Sequence, residues 1–216
     1  MKNIIFIALL LTLAIASVAQ SSSSSNGAND QHFSIITGLN QPLVFHGINI
    51  EADYYTKKWV FEYSHGFGLH VDGKLLGNEY EAQHINFKIT HSFGGGIGYR
   101  FTEAFNLRFE PKIHMYETFF EGDKQTKANS IANFNTYTLG FGAYYRWLPF
   151  KHASGFAKGI TVVPSVRYWY KVASSLENDS FVYANNKTGK KETLKAPNIG
   201  ISNTPVVLNI SVGYSF

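Results

Sequence analysis

Apolar residues alternate with small or polar residues along the last stretch of the chain, residues 206–216. This period of two predicts a β-strand with one apolar and one polar face that reaches the C-terminus itself. A soluble chain seldom leaves such a strand unpaired, whereas a transmembrane β-barrel pairs it with the first strand to close the cylinder. The pattern therefore predicts a barrel, with these apolar positions: Val206, Leu208, Ile210, Val212, Tyr214 and Phe216.

The same alternation recurs upstream, and the whole chain is predicted to contain eight strands. Their connections alternate between short turns and longer polar segments at 72–84, 118–133 and 173–205. Short turns at one end and long loops at the other are typical of an all-β, eight-stranded antiparallel up-and-down transmembrane β-barrel. The connection at 40–42 is short where this scheme expects a loop. The predicted strands cover residues 33–39, 43–54, 59–71, 85–101, 105–115, 135–147, 160–172 and 206–216.

One face of each predicted strand is apolar and almost free of charge. In the third strand, Phe67 and Leu69 are predicted on this face, opposite Glu62 and Ser64. An Arg or Lys side chain that faces lipid at mid-depth costs about 2–4 kcal/mol. A strand that crosses a bilayer must therefore keep its charged residues off the face that contacts lipid. Aromatic residues also crowd the strand ends beside the short turns, which predicts a belt at headgroup depth. They are Tyr54, Trp59, Phe101, Phe105, Trp147, Tyr214 and Phe216.

The start of the chain predicts export. A short positive segment at residues 1–3 precedes an apolar run at 4–18 and small residues at 17–19. This order is typical of a secretory signal peptide over residues 1–19, with a membrane anchor as the alternative. The Ser-rich stretch 20–31 is predicted to be a disordered lead-in, because it has almost nothing apolar to bury. Residues 32–216 form the predicted barrel domain.

Composition narrows the class of protein further. The sequence has no cysteine, which excludes a lipoprotein anchor, a disulfide framework and a thiolate metal site. Aromatic residues make up 16 %, with 13 Tyr and 18 Phe. The net charge of +4 is too small for a nucleic-acid signature, so no nucleic-acid partner is predicted.

Nearly all charges within the predicted strands fall on the face that points into the barrel. An eight-stranded barrel has room only for its own side chains. We therefore expect these charges to form an ion-pair and hydrogen-bond plug that is nearly closed to solutes; a proton or ion path is the alternative. Several of them are expected to meet at one depth near the short turns: Asp53, Glu62, Arg100, Arg108 and Arg146. The whole predicted lumen network comprises Glu51, Asp53, Glu62, Arg100, Arg108, Glu110, Lys112, Arg146, Arg167 and Lys171.

Taken together, the signal peptide, the eight alternating strands and the closing segment 212–216 resemble the small outer-membrane β-barrel proteins of the porin-like or OmpX/OmpA-barrel type. Segment 138–145 is similar to an inner strand of such families. The resemblance implies an outer-membrane location. It also implies that Val212, Tyr214 and Phe216 act as the signal read by the barrel-assembly machinery. It implies little about activity, because this fold hosts adhesins, enzymes, lipid binders and structural proteins.

Some barrels of this size are lipid A deacylases with a His and a Ser on the outer surface. Here His91 is adjacent to Ser92, and Ser64 is adjacent to His65. Neighbouring strand residues point to opposite faces, so neither pair is expected to bring a nucleophile and a base together. No catalytic residue is therefore predicted.

Metal or cofactor binding is not predicted either. The eight histidines lack close ligand spacing, although His70, His84 and His114 could cluster near the outer rim. The last long loop carries a group of lysines that could contact lipopolysaccharide phosphates, with a solvated loop as the alternative: Lys187, Lys190, Lys191 and Lys195.

The predicted function is that of an integral outer-membrane barrel without catalysis, in a structural or surface-interaction role such as adhesion. The alternatives are a narrow channel, a lipid-modifying enzyme and an accessory subunit of an envelope secretion or assembly complex. The predicted partners are outer-membrane lipid and lipopolysaccharide, the barrel-assembly machinery, and an envelope protein.

Overall fold

A computed structural model describes residues 31–216. The predicted signal peptide and all of the lead-in but residue 31 lie outside this part of the chain. Eight strands form a closed barrel, and two further strands form a separate hairpin. The barrel strands are β1 (His32–Gly38), β2 (Ile48–Tyr55), β3 (Trp59–Val71), β4 (Ile85–Arg100), β5 (Phe105–Phe120), β6 (Ala132–Tyr145), β7 (Ile160–Ser174) and β10 (Val206–Ser215); the hairpin is β8 (Ser180–Asn185) and β9 (Lys190–Lys195).

Every barrel strand pairs antiparallel with its neighbours, in the order β1-β10-β7-β6-β5-β4-β3-β2. The cylinder closes between β1 and β10, where Ser34 lies opposite Ser215 and Gly38 opposite Ser211. The last residue also contributes, since the Phe216 N–H donates to the carbonyl of Phe33 at 2.8 Å. The predicted eight-stranded antiparallel up-and-down barrel is thereby confirmed. We call the end that holds Phe216 the lower end and the opposite end the upper end.

The connections depart from the predicted scheme in three places. Residues 39–47 hold a short helix, Asn40–Leu43, and β2 starts later than predicted, so this upper connection is a loop after all. The predicted loop 173–205 contains the β8–β9 hairpin, whose few apolar residues are hidden among polar ones in the sequence. The lower connection 146–159 is also long. None of the helices within residues 31–216 is long and apolar enough to cross a membrane.

The lower part of the barrel has an inverted polarity, with apolar side chains outside and charged side chains inside. Large apolar side chains such as Tyr63, Phe141 and Leu208 remain 54 %, 56 % and 66 % exposed on the outside. Glu51 and Asp53, by contrast, are fully buried inside. A water-soluble barrel would reverse this arrangement, whereas a barrel whose outer surface faces hydrocarbon requires it.

The polarity reverses at the upper end because β3 and β4 each contain an irregularity that changes which residues point inward. Gly68 in β3 adopts a φ of +57°, and the β4–β5 pairing shifts between Ile89 and His91. These irregularities turn Leu69 inward, so the prediction that it faces lipid was wrong. Above this level an apolar cluster fills the barrel interior and joins residues of the upper loops and the hairpin. It includes Leu69, Val71, Leu76, Tyr80, Ile85, Phe87, Ile89, Tyr116, Phe134, Tyr183 and Leu194.

Candidate functional site in the barrel lumen

Arg108 occupies the centre of the lumen. Strand alternation points Glu51 and Asp53 of β2, Glu62 of β3 and Arg108 of β5 into the same space. Nη1 of Arg108 lies 2.9 Å from Glu51 Oε1, 2.8 Å from Asp53 Oδ1 and 3.0 Å from Glu62 Oε2. All four side chains are fully buried. One guanidinium nitrogen therefore holds together three carboxylates from two neighbouring strands.

The rest of the guanidinium is also satisfied. Nη2 donates to Asp53 Oδ2 at 3.1 Å and to the Tyr55 hydroxyl at 3.0 Å, while Nε donates to Asn106 Oδ1 at 2.8 Å. The Tyr55 hydroxyl in turn donates to Asp53 at 2.9 Å. Within the described residues, Glu51, Asp53 and Glu62 are the one group of three or more acidic or histidine side chains close enough together to hold a metal ion. Because Arg108 already lies among these oxygens, we interpret the cluster as an ion-pair centre.

Two more cations extend the network upward. Lys112 Nζ lies 3.0 Å from Glu62 Oε1 and 3.2 Å from Glu110 Oε2. Arg167 Nη2 lies 3.3 Å from Glu51 Oε2. The Tyr144 hydroxyl donates to Glu110, and the Tyr144 ring centroid lies 4.0 Å from the Arg108 guanidinium carbon and 4.8 Å from that of Arg167. Charge pairs, hydrogen bonds and cation–π contacts thus link the lumen walls.

Three of the residues predicted for this network do not pair with its carboxylates, although Arg100 and Arg146 are buried and lie 5.5 and 4.8 Å from the centroid of the Tyr55 ring. Arg100 ends β4 and Arg146 directly follows β6, both beside the lower turns, so their side chains reach backbone carbonyls instead of carboxylates. Arg100 donates to the carbonyls of Thr56 and Glu103, and Arg146 donates to Glu103 at 3.3 Å. Lys171 lies near the upper end of β7 and pairs with Asp179 at 2.6 Å. Its Nζ also donates to the carbonyl of Ala196, so both of its partners belong to the upper connection and not to the central network.

A cavity of about 100 Å³ lies above the ion-pair network. Lys112 and Arg167 line it from below, and Leu76 and Ile199 are among the upper-loop residues that line it. An apolar cap and a charged floor therefore border the same small space.

Ser92 and His114 meet at the wall of this cavity. The Ser92 hydroxyl lies 2.8 Å from His114 Nδ1, and the other ring nitrogen lies 2.8 Å from the Thr138 hydroxyl. Sequence reasoning missed this pair, because the two residues come from different strands and no spacing links them. In a catalytic triad a carboxylate orients the histidine, whereas here the hydroxyl of Thr138 occupies that position. His114 is also buried. We therefore interpret the Ser92–His114 pair as a structural contact in which both ring nitrogens have a hydrogen-bond partner.

The other histidines do not form the suggested rim cluster. His114 lies inside the barrel, while His84 pairs with Glu121 at 2.9 Å at the upper end. His70, His84 and His114 are not brought together as a group among the described residues, so that interpretation was wrong. His65 and His91 lie on the outside of the barrel, and Ser64 and Ser92 line the lumen cavity.

The predicted assembly signal lies at the closing seam of the barrel. Val212 pairs with Thr37 of β1 and Val162 of β7. The Tyr214 ring stacks on Phe156 at a centroid distance of 4.6 Å and contacts Phe216 at 4.9 Å.

The lysines of the last loop lie on the hairpin and its turn. Lys187 reaches Asp123 at 3.5 Å, whereas Lys190, Lys191 and Lys195 belong to β9 and are exposed. Their side chains are therefore available on the upper surface.

The chain is similar to known proteins in structure. No known family model and no curated protein matches the sequence. Two solved structures align with 86 % of this chain and 99 % of their own. One is Ail, the attachment invasion locus protein of Yersinia pestis, with 15 % identity and a TM-score of 0.43. The other is a major outer membrane protein from Thermus thermophilus, with 13 % identity and a TM-score of 0.43.

Proposed function

We propose that this protein is an integral outer-membrane barrel with a plugged lumen, which acts through its upper surface in a structural or surface-interaction role without catalysis. The observation that carries the proposal is the inverted polarity of the lower barrel. Arg108 and its carboxylates are buried there, while large apolar side chains cover the outside. The barrel is inserted with its lower end at the periplasm and its upper end outside the cell. Export uses the predicted signal peptide, and the C-terminal strand is read by the barrel-assembly machinery.

The plug argues against the channel alternative. Arg108 contacts groups from β2, β3 and β5, and Lys112 and Arg167 extend these contacts upward. Above them, the apolar cluster beneath the upper loops contributes a second barrier. A permeating ion would have to separate buried charge pairs and then cross an apolar layer, and both steps are costly.

The β8–β9 hairpin supports a surface role. Its inner face carries Tyr183 and Leu194, which pack into the apolar cluster. The outer face presents Val182, which is 57 % exposed, together with Lys191 and Lys195. This positively charged surface above the membrane can bind phosphate groups of lipopolysaccharide or an acidic envelope protein.

The channel alternative is tested by conductance in planar bilayers. The refolded protein is expected to give no steps above background, because the plug is closed. A steady conductance that disappears in Glu62→Ala would overturn the plugged lumen and favour the channel. Release of acyl chains from lipopolysaccharide by the purified protein would contradict the absence of catalysis.

The surface role is tested by binding to lipopolysaccharide. A variant in which Gln replaces four lysines together, Lys187, Lys190, Lys191 and Lys195, is expected to bind lipopolysaccharide more weakly. Its binding should also depend less on the salt concentration. The chain offers a matched control with four exposed lysines at the lower end. This control replaces Lys57, Lys58, Lys151 and Lys158 by Gln. Equal binding by the two variants would discard the contribution of the hairpin lysines.

A further inference from the structure

Two histidine side chains meet on the outer face of the barrel. His65 belongs to β3 and His91 to β4, and they are diagonal neighbours, since His65 pairs with Phe93 and Phe67 pairs with His91. Nε2 of His65 lies 3.2 Å from Nδ1 of His91. Sequence spacing did not reveal this pair, because the hairpin between the strands brings the residues together.

The pair lies where the outer surface changes from apolar to polar. Below it, the outward residues of β3 are Phe61 and Tyr63. Above it, the half-buried Thr90 and Lys88 follow on β4. Water and lipid headgroups therefore reach this level, while two imidazoles placed deeper would face hydrocarbon at a considerable cost.

The His65 ring is held in place by its neighbours. It stacks on Phe67 with a centroid distance of 4.0 Å and an interplanar angle of 15°, and it contacts Phe93 at 5.6 Å. The Tyr63 hydroxyl lies 3.3 Å from His65 Nδ1. When Nδ1–H donates to this hydroxyl, Nε2 keeps its lone pair, which lies toward His91. A hydrogen bond on the second ring nitrogen is the usual support of a metal-binding histidine.

We infer that His65 and His91 form a two-histidine site for a divalent transition-metal ion such as Zn²⁺ or Cu²⁺. Zn–N bonds of about 2.0–2.1 Å at a tetrahedral angle place two nitrogens about 3.3 Å apart. The observed separation is 3.2 Å. The ion takes the position of the proton between the rings, and His91 then carries its single N–H proton on Nε2, so two neutral imidazoles bind the metal without net proton release. Water or a headgroup phosphate oxygen fills the remaining positions.

The test uses the refolded full chain in detergent, titrated with Cu²⁺ as the probe because imidazole sites bind it most tightly among the common divalent ions. Electron paramagnetic resonance should show two coordinated imidazole nitrogens at one equivalent of metal. His65→Gln and His91→Gln should each weaken binding by more than about 10-fold and reduce the nitrogen count to one. Tyr63→Phe should keep both nitrogens but weaken binding by about 10-fold or more, since it removes only the supporting hydrogen bond.

The matched controls are His84→Gln and His152→Gln, which alter other histidines near the ends of the barrel. They should bind Cu²⁺ like the unaltered protein. Because His65 and His91 point outward, all variants should fold, which heat-dependent gel mobility verifies. Binding that survives in the folded His65→Gln variant, or that is lost instead in His84→Gln, would overturn the site.

Discussion

At the residue scale, Arg108 is the side chain on which the lumen depends most. Its three nitrogens make hydrogen bonds with acceptors on three strands, and one of those nitrogens lies within 3.0 Å of three separate carboxylates. Removing this cation would leave Glu51, Asp53 and Glu62 facing one another without solvent. Because these buried carboxylates would repel one another, an apolar residue in place of Arg108 should destabilise the barrel.

We expect Arg108→Met to lower the free energy of unfolding by about 3–5 kcal/mol, because it leaves uncompensated buried charge. Urea unfolding in lipid vesicles, followed by tryptophan fluorescence, measures this loss. The control is Lys187→Met, which breaks the solvated pair with Asp123 and should cost less than about 1 kcal/mol. Equal losses in the two variants would show that the central network does not stabilise the barrel.

Inward-facing glycines provide the space that large lumen side chains fill. A Cβ added to Gly140 would lie 2.6 Å from the Trp169 ring. We expect Gly140→Ala to destabilise the barrel by about 1–3 kcal/mol through overpacking. Gly95→Ala is the matched control, because its nearest contact would be a carbonyl at 3.2 Å. The same unfolding assay distinguishes them, and a larger loss at Gly95 would contradict this account of the packing.

At the element scale, the β8–β9 hairpin is stabilised by a local set of hydrogen bonds around Glu192. The Asn185 amide donates to Glu192 Oε2 at 2.6 Å, and the Thr188 hydroxyl donates to Oε1 at 2.8 Å. These bonds, the one from Asn185 first, hold the pKa of the Glu192 carboxyl below its ordinary value of 4.5. The carboxylate therefore links both strands of the hairpin to the turn between them.

The pH dependence of the hairpin follows from this lowered pKa. Its contribution to stability is fully present above the ordinary pKa and is lost as the pH falls through the lower value in the folded state. The hairpin amide signals in nuclear magnetic resonance spectra should shift toward those of a disordered loop as the pH falls below the ordinary pKa of 4.5. Glu192→Gln should abolish that transition and Glu177→Gln should retain it. An unchanged transition in Glu192→Gln would assign it to another group.

At the scale of the whole molecule, the protein contains two zones of opposite polarity in one cylinder. Below the level of His91 the outside is apolar and the lumen is charged; above it the interior is apolar and the surface polar. The irregularities at Gly68 and between Ile89 and His91 make this change within single continuous strands. In the proposed membrane orientation, the position of this change corresponds to the outer boundary of the apolar zone.

A charge on the outer face should report this boundary. Phe141→Arg places a cation near the middle of the apolar zone and should lower the free energy of unfolding by about 2–4 kcal/mol. Asn133→Arg, on the outward face of the same strand but above the boundary, should cost about 0–1 kcal/mol. Unfolding in vesicles measures both, and equal effects would place the membrane elsewhere.

The residue alternation of the sequence was sufficient to predict eight strands, their antiparallel order and the inward face that carries Glu51, Asp53, Glu62 and Arg108. A period of two assigns each side chain to a face whatever its partners are. This is why the barrel and the chemical character of its two surfaces could be derived before any contact was known.

The tertiary structure alone decided which side chains meet. Arg108 contacts carboxylates, whereas Arg100 and Arg146 do not. Which groups a side chain can contact depends on the pairing register of its strand and on its depth in the barrel. The alternation of apolar and polar residues determines neither of these. Leu69 turns inward because a bulge reverses the face of every residue beyond it. His65 and His91 approach because adjacent strands place residues distant in sequence side by side. Local periodicity thus determined the faces of this protein, and strand register determined its contacts.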